Sequence, residues 1–410
     1  MKTKKTYKYR LYPNREQRSI LEEWLEVCRV LYNDCLTERR DAWQSCKKSI
    51  NYYDQANQIK EIKTFDSDIK SIHSQVAQDV LKRVDKAFKN FFRRIKRREK
   101  AGYPRYKPKQ RYDSFTYPQS GFESSENGKK LILSKIGSIN IKQHRAIPES
   151  AEIKTCTIER DLDRWYACFS VEVEIEDPDQ NKKITLANPT GIDLGINHLL
   201  TLSNGDTEDN PRYLSKSERK LARKQRKLSK AKKGSNNRIK RRFEGAKTHR
   251  KVREQRSDLL HKISCKLVNT FDLIVFEDLN VKGMLKNHHL AKSISDVSWS
   301  QLTNFVSYKA EEAGRRVEFV NPKNTSQECS NCGEIVKKSL SQRVHKCPFC
   351  GLVIDRDKNA AINILKKGLQ KSSIFEQLKN VGQELSELKH EDFSNQREER
   401  YRKLLCLSME

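Results

Sequence analysis

FDLIVFEDL, residues 271–279, is a largely apolar run of strand length that ends in two carboxylates, Glu277 and Asp278. A run without polar alternation predicts a strand buried on both faces, as in α/β proteins with parallel sheets. Open sheets of that class place their sites at the C-terminal edge of such strands, where these carboxylates stand. The plain alternative is that they cap the next turn. Two more acidic residues interrupt apolar surroundings: Asp193 in TGIDLGI (190–196), read as mid-strand, and Asp357 in IDRDKNAAINI (354–364), at the opening of a short helix. Gly195 permits a tight turn before the strand HLLTL. At the helix opening, Asp355 or Asp357 could serve as an N-cap carboxylate. Each residue alone has a structural explanation, but the three together predict one cluster. Clustered carboxylates become tolerable beside a divalent cation, which cancels their repulsion and their tendency to protonate.

The 410-residue chain is long enough for two or more domains, and its formal net charge is +29. Such an excess calls for a polyanion, and with the carboxylate cluster it predicts a metal-dependent nuclease. A membrane partner is not expected. No apolar run reaches the roughly eighteen residues of a span, and MKTKKTYKYRLYPN lacks the apolar core of a signal peptide. The eleven cysteines form no disulfide framework, which fits a reducing cytoplasm. Cys28 and Cys35, seven apart on a predicted helix, read as small buried hydrophobes.

Along the chain, Lys5 to Leu11 alternates like a strand, and Arg15 to about Cys46 carries helical periodicity. A second long helix is predicted from Asp68 to Arg98, stopped by Gly102 and Pro104. From residue 103 to about 180, runs such as KLILSKIGSINI and WYACFSVEVEIE predict a small sheet or barrel that also takes in the first strand, with the helices as an insertion. After Asn188 and Pro189, strands and helices alternate to about Lys367, an α/β pattern. The final residues, with Phe375, Leu378, Leu385 and Leu388 at helix-like spacing, carry no readable chemistry.

Cys329, Cys332, Cys347 and Cys350 form C-x2-C-x14-C-x2-C, with Gly333 and Gly351 after the pairs, as two zinc knuckles require. Four thiolates suit one structural Zn2+; a redox dithiol is the competing reading. His345 is an alternative ligand by residue type but is expected at the surface, because the thiolates complete the shell. Two basic stretches remain. Residues 86–112 interleave cations, among them Arg93, Arg94, Arg105 and Lys107, with Phe88, Phe91, Phe92, Tyr103 and Tyr106, a mixture suited to phosphate contact and base stacking. Residues 216–256 read as two polar helices joined at GSNN (234–237). Charge runs are commonly solvated faces, but one prevailing sign favours nucleic acid.

TGIDLGI, IVFEDL, SISDVSW, YKAEEAG, VNPKNTSQECSNCG and CPFCGLVIDRDKNAAINI resemble, in order, the blocks of TnpB, a transposon-encoded RNA-guided nuclease family. YKYRLYPN, KAFKNFFRR and GYPRYKP are also similar, so the likeness spans roughly residues 5 to 367. It implies an α/β RuvC-like RNase H fold (187–324 and 353–370) with an inserted zinc ribbon (325–352). It also implies an N-terminal wedge β-barrel (1–14 and 103–186), interrupted by a helical recognition lobe (15–102), and leaves a charged tail (371–410). Asp193, Glu277 and Asp357 match the catalytic triad, Asp355 being the near alternative. They imply two Mg2+ ions, about 3.5 to 4 Å apart, for phosphodiester hydrolysis. The implied partners are a guide RNA derived from the transposon end and a target double-stranded DNA cut beside a short adjacent motif, near which Tyr52 and Gln78 fall. A monomer is expected. The competing expectations are a nuclease-inactive RNA-guided repressor, a zinc-ribbon DNA-binding accessory of transposition, and a compact type V CRISPR effector. Strand joining is not expected, since no tyrosine sits beside paired histidines.

Overall fold

The computed structural model describes residues 2–109, 111–125, 127–174, 188–339 and 342–371. The charged tail beyond residue 371, with its helix-like spacing, lies outside them. The chain divides into two compact units, Met1–Asp177 and Pro178–Glu410.

In the first unit, β1 (Lys2–Tyr12) is followed by α1 (Arg15–Cys46), α2 (Tyr52–Phe65), α3 (Ser67–Ser71) and α4 (Ser74–Lys96). Six strands then follow: β2 (Ser114–Tyr117), β3 (Phe122–Ser124), β4 (Lys130–Leu133), β5 (Gly137–Lys142), β6 (Glu152–Asp161) and β7 (Arg164–Glu174). All seven join one antiparallel sheet in the order β2-β6-β7-β1-β5-β4-β3, so the first strand does sit among the later ones. Its alternation predicts this placement, because Tyr7, Tyr9 and Leu11 all point into the core. The edge strands β2 and β3 approach through Tyr117 and Phe122, whose rings lie 6.4 Å apart, which nearly closes the sheet into a barrel. Trp24 of α1 packs on Phe115 of β2 at 5.4 Å, so sheet and helices share one core. The expected helix from Asp68 to Arg98 is broken. Asp66 caps α3 and His73, in an extended conformation, caps α4. Helix α2, capped by a reciprocal Asn51–Asp54 box, was not expected from periodicity.

The second unit opens with β8 (Pro189–Asp193), β9 (His198–Leu202), β10 (Thr207–Asp209), α5 (Tyr213–Ser229) and α6 (Asn236–Thr270). There follow β11 (Leu273–Glu277), α7 (Val281–Met284), α8 (Ala291–Val297), α9 (Trp299–Glu312) and β12 (Arg316–Val320). The last elements are β13 (Val344–Lys346), β14 (Val353–Asp355) and α10 (Arg356–Lys371). The five-stranded sheet has the order β10-β9-β8-β11-β12. β11 runs parallel to both neighbours, while β9 is antiparallel to β8 and β10. Every residue of β11 is buried, as its apolar run requires. Ile274 and Phe276 face a core built with α6 and α9, whereas Leu273 and Val275 face α10. The two polar helices expected near the GSNN break are present as α5 and α6, and Ser235 of that break caps α6.

Candidate active site

Side chains alternate across a strand, so Glu277 shares the α10 face with Leu273 and Val275, and Asp193 shares it with Gly191. The register pairs Val275 with Gly191 and Phe276 with Ile192. One step further along both parallel strands come Glu277 and Asp193, on adjacent strands about 5 Å apart. Asp193 is thus the last residue of β8, not a mid-strand residue as its sequence suggests. Helix α10 crosses this face closely enough that a Cβ on Gly191 would come within 2.6 Å of the Leu365 amide nitrogen, and one on Gly368 within 2.5 Å of Val275 Cγ2. Its first turn carries Asp357. Asp355 is the capping residue, accepting the amides of Asp357 at 2.8 Å and Lys358 at 3.0 Å, so the Asp357 carboxylate is not used in capping.

Burial, followed by the charges of Glu277 and Asp357, pushes the Asp193 carboxyl up to about 8. The Glu277 carboxyl is also raised by burial, against a hydrogen bond from the Thr325 hydroxyl and the charge of Lys367, which pull it down. Without a cation, then, burial favours a proton on Asp193 at neutral pH. Arg356 donates Nε at 3.1 Å and Nη2 at 3.0 Å to Asp357 Oδ1, and Arg343 Nη1 lies 3.6 Å from Asp357 Oδ2. Two buried asparagines of α10 hold the segment that brings Thr325 to Glu277. Asn359 donates to the Glu328 carbonyl and accepts the Ser330 amide, while Asn363 donates to the carbonyls of Thr325 and Glu328. Thr325, Asn359 and Asn363 escaped the sequence reading. The i, i+4 spacing of the asparagines on one helix face was the available signal.

Cys329, Cys332, Cys347 and Cys350 come together, with all four sulfurs within 4.8 Å of one another. Cys329–Cys350 and Cys332–Cys347 are each 3.6 Å apart, too long for a disulfide and close to the roughly 3.8 Å edge of a tetrahedron built on 2.3 Å Zn–S bonds. Cys329/Cys332 and Cys347/Cys350 sit in two turns of the same kind: the Cys329 and Cys347 carbonyls accept the amides of Gly333 and Gly351, both glycines having φ near +80°. The geometry therefore fits one structural Zn2+. His345 is fully buried, contrary to the surface position expected, and its Nδ1 meets the Lys338 ammonium outside the thiolate set. Cys28 and Cys35 are buried hydrophobes, as expected, with thiols pushed up by burial.

Of the cations predicted for nucleic acid, Arg93, Arg94 and Arg105 are exposed. Lys107 is half-buried. Its backbone is tied to Asn33 and Arg29 of α1, and its ammonium lies 5.4 Å from the Tyr32 ring centre. Gln78 is exposed on α4; Tyr52 opens α2 half-buried, with Lys82 above its ring at 6.0 Å. Among the described residues no helix is long and apolar enough to cross a membrane.

Three family models match the chain. That described as "Probable transposase" (OrfB of IS605) covers residues 169–288, "Cas12f1-like, TNB domain" covers 299–364, and "Helix-turn-helix domain" covers 1–48. Over the last of these the structure has one strand and one 32-residue helix. A Streptomyces pristinaespiralis protein named "Putative RNA-guided DNA endonuclease" is 35% identical over 90% of this chain and 90% of its own. An Escherichia coli protein named "Putative RNA-guided DNA endonuclease InsQ" is 31% identical over 90% and 93%. "TnpB-like protein L770" of Acanthamoeba polyphaga mimivirus is 27% identical over 88% and 73%. Among solved structures, a Cas12f1–sgRNA–target DNA complex aligns with TM-score 0.54 and 15% identity over 88% of this chain and 98% of that one. The mini-RNA-guided endonuclease CRISPR-Cas_phi3 aligns with TM-score 0.51 and 9% identity over 90% and 92%; both show likeness of fold.

Proposed function

The chain belongs to the TnpB family, and from that premise we propose that it cuts DNA under the direction of a bound guide RNA. The observation that carries this reading is the register that sets Glu277 beside Asp193 on the face crossed by α10, whose first turn bears Asp357. A sheet with three antiparallel strands leading into parallel ones, covered on both faces, supports reading this unit as RuvC-like. The catalytic residues are Asp193, Glu277 and Asp357. Three carboxylates delivered by two adjacent strand ends and the first turn of α10 suit the pair of divalent ions that phosphodiester hydrolysis commonly uses.

When bound, the Mg2+ ions would polarise a water for attack on the phosphodiester and neutralise the departing oxygen. The chain's own residues provide the geometry. β8 and β11 fix two carboxylates by register, α10 brings the third, and Thr325 orients Glu277. The four thiolates hold Zn2+ as a structural ribbon between β12 and α10. The exposed cations Arg93, Arg94 and Arg105, with Tyr103 and Tyr106 nearby in sequence, suit the phosphates and bases of guide RNA and target. Tyr52 and Gln78 are assigned to the neighbourhood of the target-adjacent motif. Retention of all three carboxylates argues against a nuclease-inactive repressor.

Sequencing the RNA that copurifies with the chain, then challenging a randomised plasmid library with and without Mg2+, tests the reading. Bound RNA from a transposon end and Mg2+-dependent cuts beside a fixed short motif are expected. A preparation free of RNA whose DNA binding needs none would point instead to a zinc-ribbon DNA-binding accessory.

A further inference from the structure

We propose that Arg356 and Arg343 form a guanidinium clamp on Asp357 that a divalent ion must displace, which keeps the carboxylate cluster poor in metal until a phosphodiester draws the arginines away. The inference rests on the assignment of Asp193, Glu277 and Asp357 as metal ligands.

Two donors of Arg356, Nε and Nη2, converge on Oδ1 of Asp357, leaving that oxygen no free lone pair. Arg343 stands 3.6 Å from the other oxygen, so a cation approaching there meets a like charge. The Arg356 and Asp357 side chains retain only 16% and 15% exposure, so water screens their pairing less than it would a surface ion pair. The clamp is also built into the ribbon: Arg356 Nη1 donates to the Gln342 carbonyl at 3.3 Å, and the Arg356 amide donates to the Arg343 carbonyl at 2.8 Å. Exchange is inexpensive only if the released guanidiniums find another anion, and a phosphodiester suits their fork-shaped donor set. Metal loading and DNA binding are then positively linked.

The test is equilibrium Mn2+ binding, followed by the electron paramagnetic resonance signal of the free ion, on the full-length zinc-loaded chain. Wild type, Arg343→Gln, Arg356→Gln and Asp193→Asn are compared, each with and without a short single-stranded oligonucleotide. Zinc content and circular dichroism check the fold, and Arg343, half-exposed, is the variant that leaves it least disturbed. Each arginine variant should bind Mn2+ about three- to tenfold tighter without DNA, and the gain on adding the oligonucleotide should shrink relative to wild type. Unchanged or weaker Mn2+ binding in both variants overturns the clamp. If wild type with the oligonucleotide shows no site that Asp193→Asn lacks, the ligand assignment falls and the clamp with it. If that site exists and the variants bind no tighter, the clamp alone falls.

Discussion

Gly191 of β8 lies directly beneath Leu365 of α10, leaving no room for even a methyl group between strand and helix. This close approach lets one helix turn deliver Asp357 to the face where Asp193 and Glu277 project. A Gly191→Ala substitution should push α10 off the sheet and cost roughly 3 kcal/mol or more. Urea unfolding would read it, and a variant of wild-type stability would contradict the packing described.

Thr325 is the next point of leverage. Thr325→Val keeps the volume and deletes the hydroxyl that donates to Glu277, at a cost of about 1–3 kcal/mol. Because that bond pulls the Glu277 carboxyl down, its loss should move the acid limb of the Mg2+-supported cleavage profile to higher pH. Thr325→Ser should behave like wild type.

Asp193 makes stability depend on pH in a definite direction. Its folded carboxyl is raised from the ordinary 3.8 to about 8, so between those values the folded state binds more protons than the unfolded one. Stability should therefore fall as pH rises through that window, by roughly 1–3 kcal/mol without catalytic metal. Asp193→Asn should flatten this slope in unfolding experiments from pH 5 to 8, and Mg2+ should oppose it in wild type.

The four thiolates predict one zinc per chain by elemental analysis, falling to near zero in Cys329→Ser. Hydrogen exchange should then quicken across residues 325–356 while the barrel-like sheet keeps its protection.

The sequence reveals what depends on local pattern. The long apolar stripe of α1, the apolar run Leu273–Phe276 of β11 and the paired cysteines each announce themselves, because one period or one spacing suffices. Helix α2 escapes because Tyr52–Phe65 is largely polar and buries only Gln55 and Ile59, and the break at His73 escapes because apolar residues continue on both sides of it. Gly191, Thr325 and Arg356 acquire their roles only when α10 and the segment after β12 are folded against the sheet. His345 is expected at the surface because four thiolates already complete the zinc shell, and only the β13–β14 pairing turns it inward.

The most direct measurement is cleavage of a guide-matched plasmid in Mg2+ by wild type and Asp193→Ala, each purified with its RNA and checked for equal target binding. Asp193→Ala should bind RNA and target like wild type while cutting slows by at least about a thousandfold. Undiminished cutting by that variant would contradict the assignment of the three carboxylates as the catalytic centre.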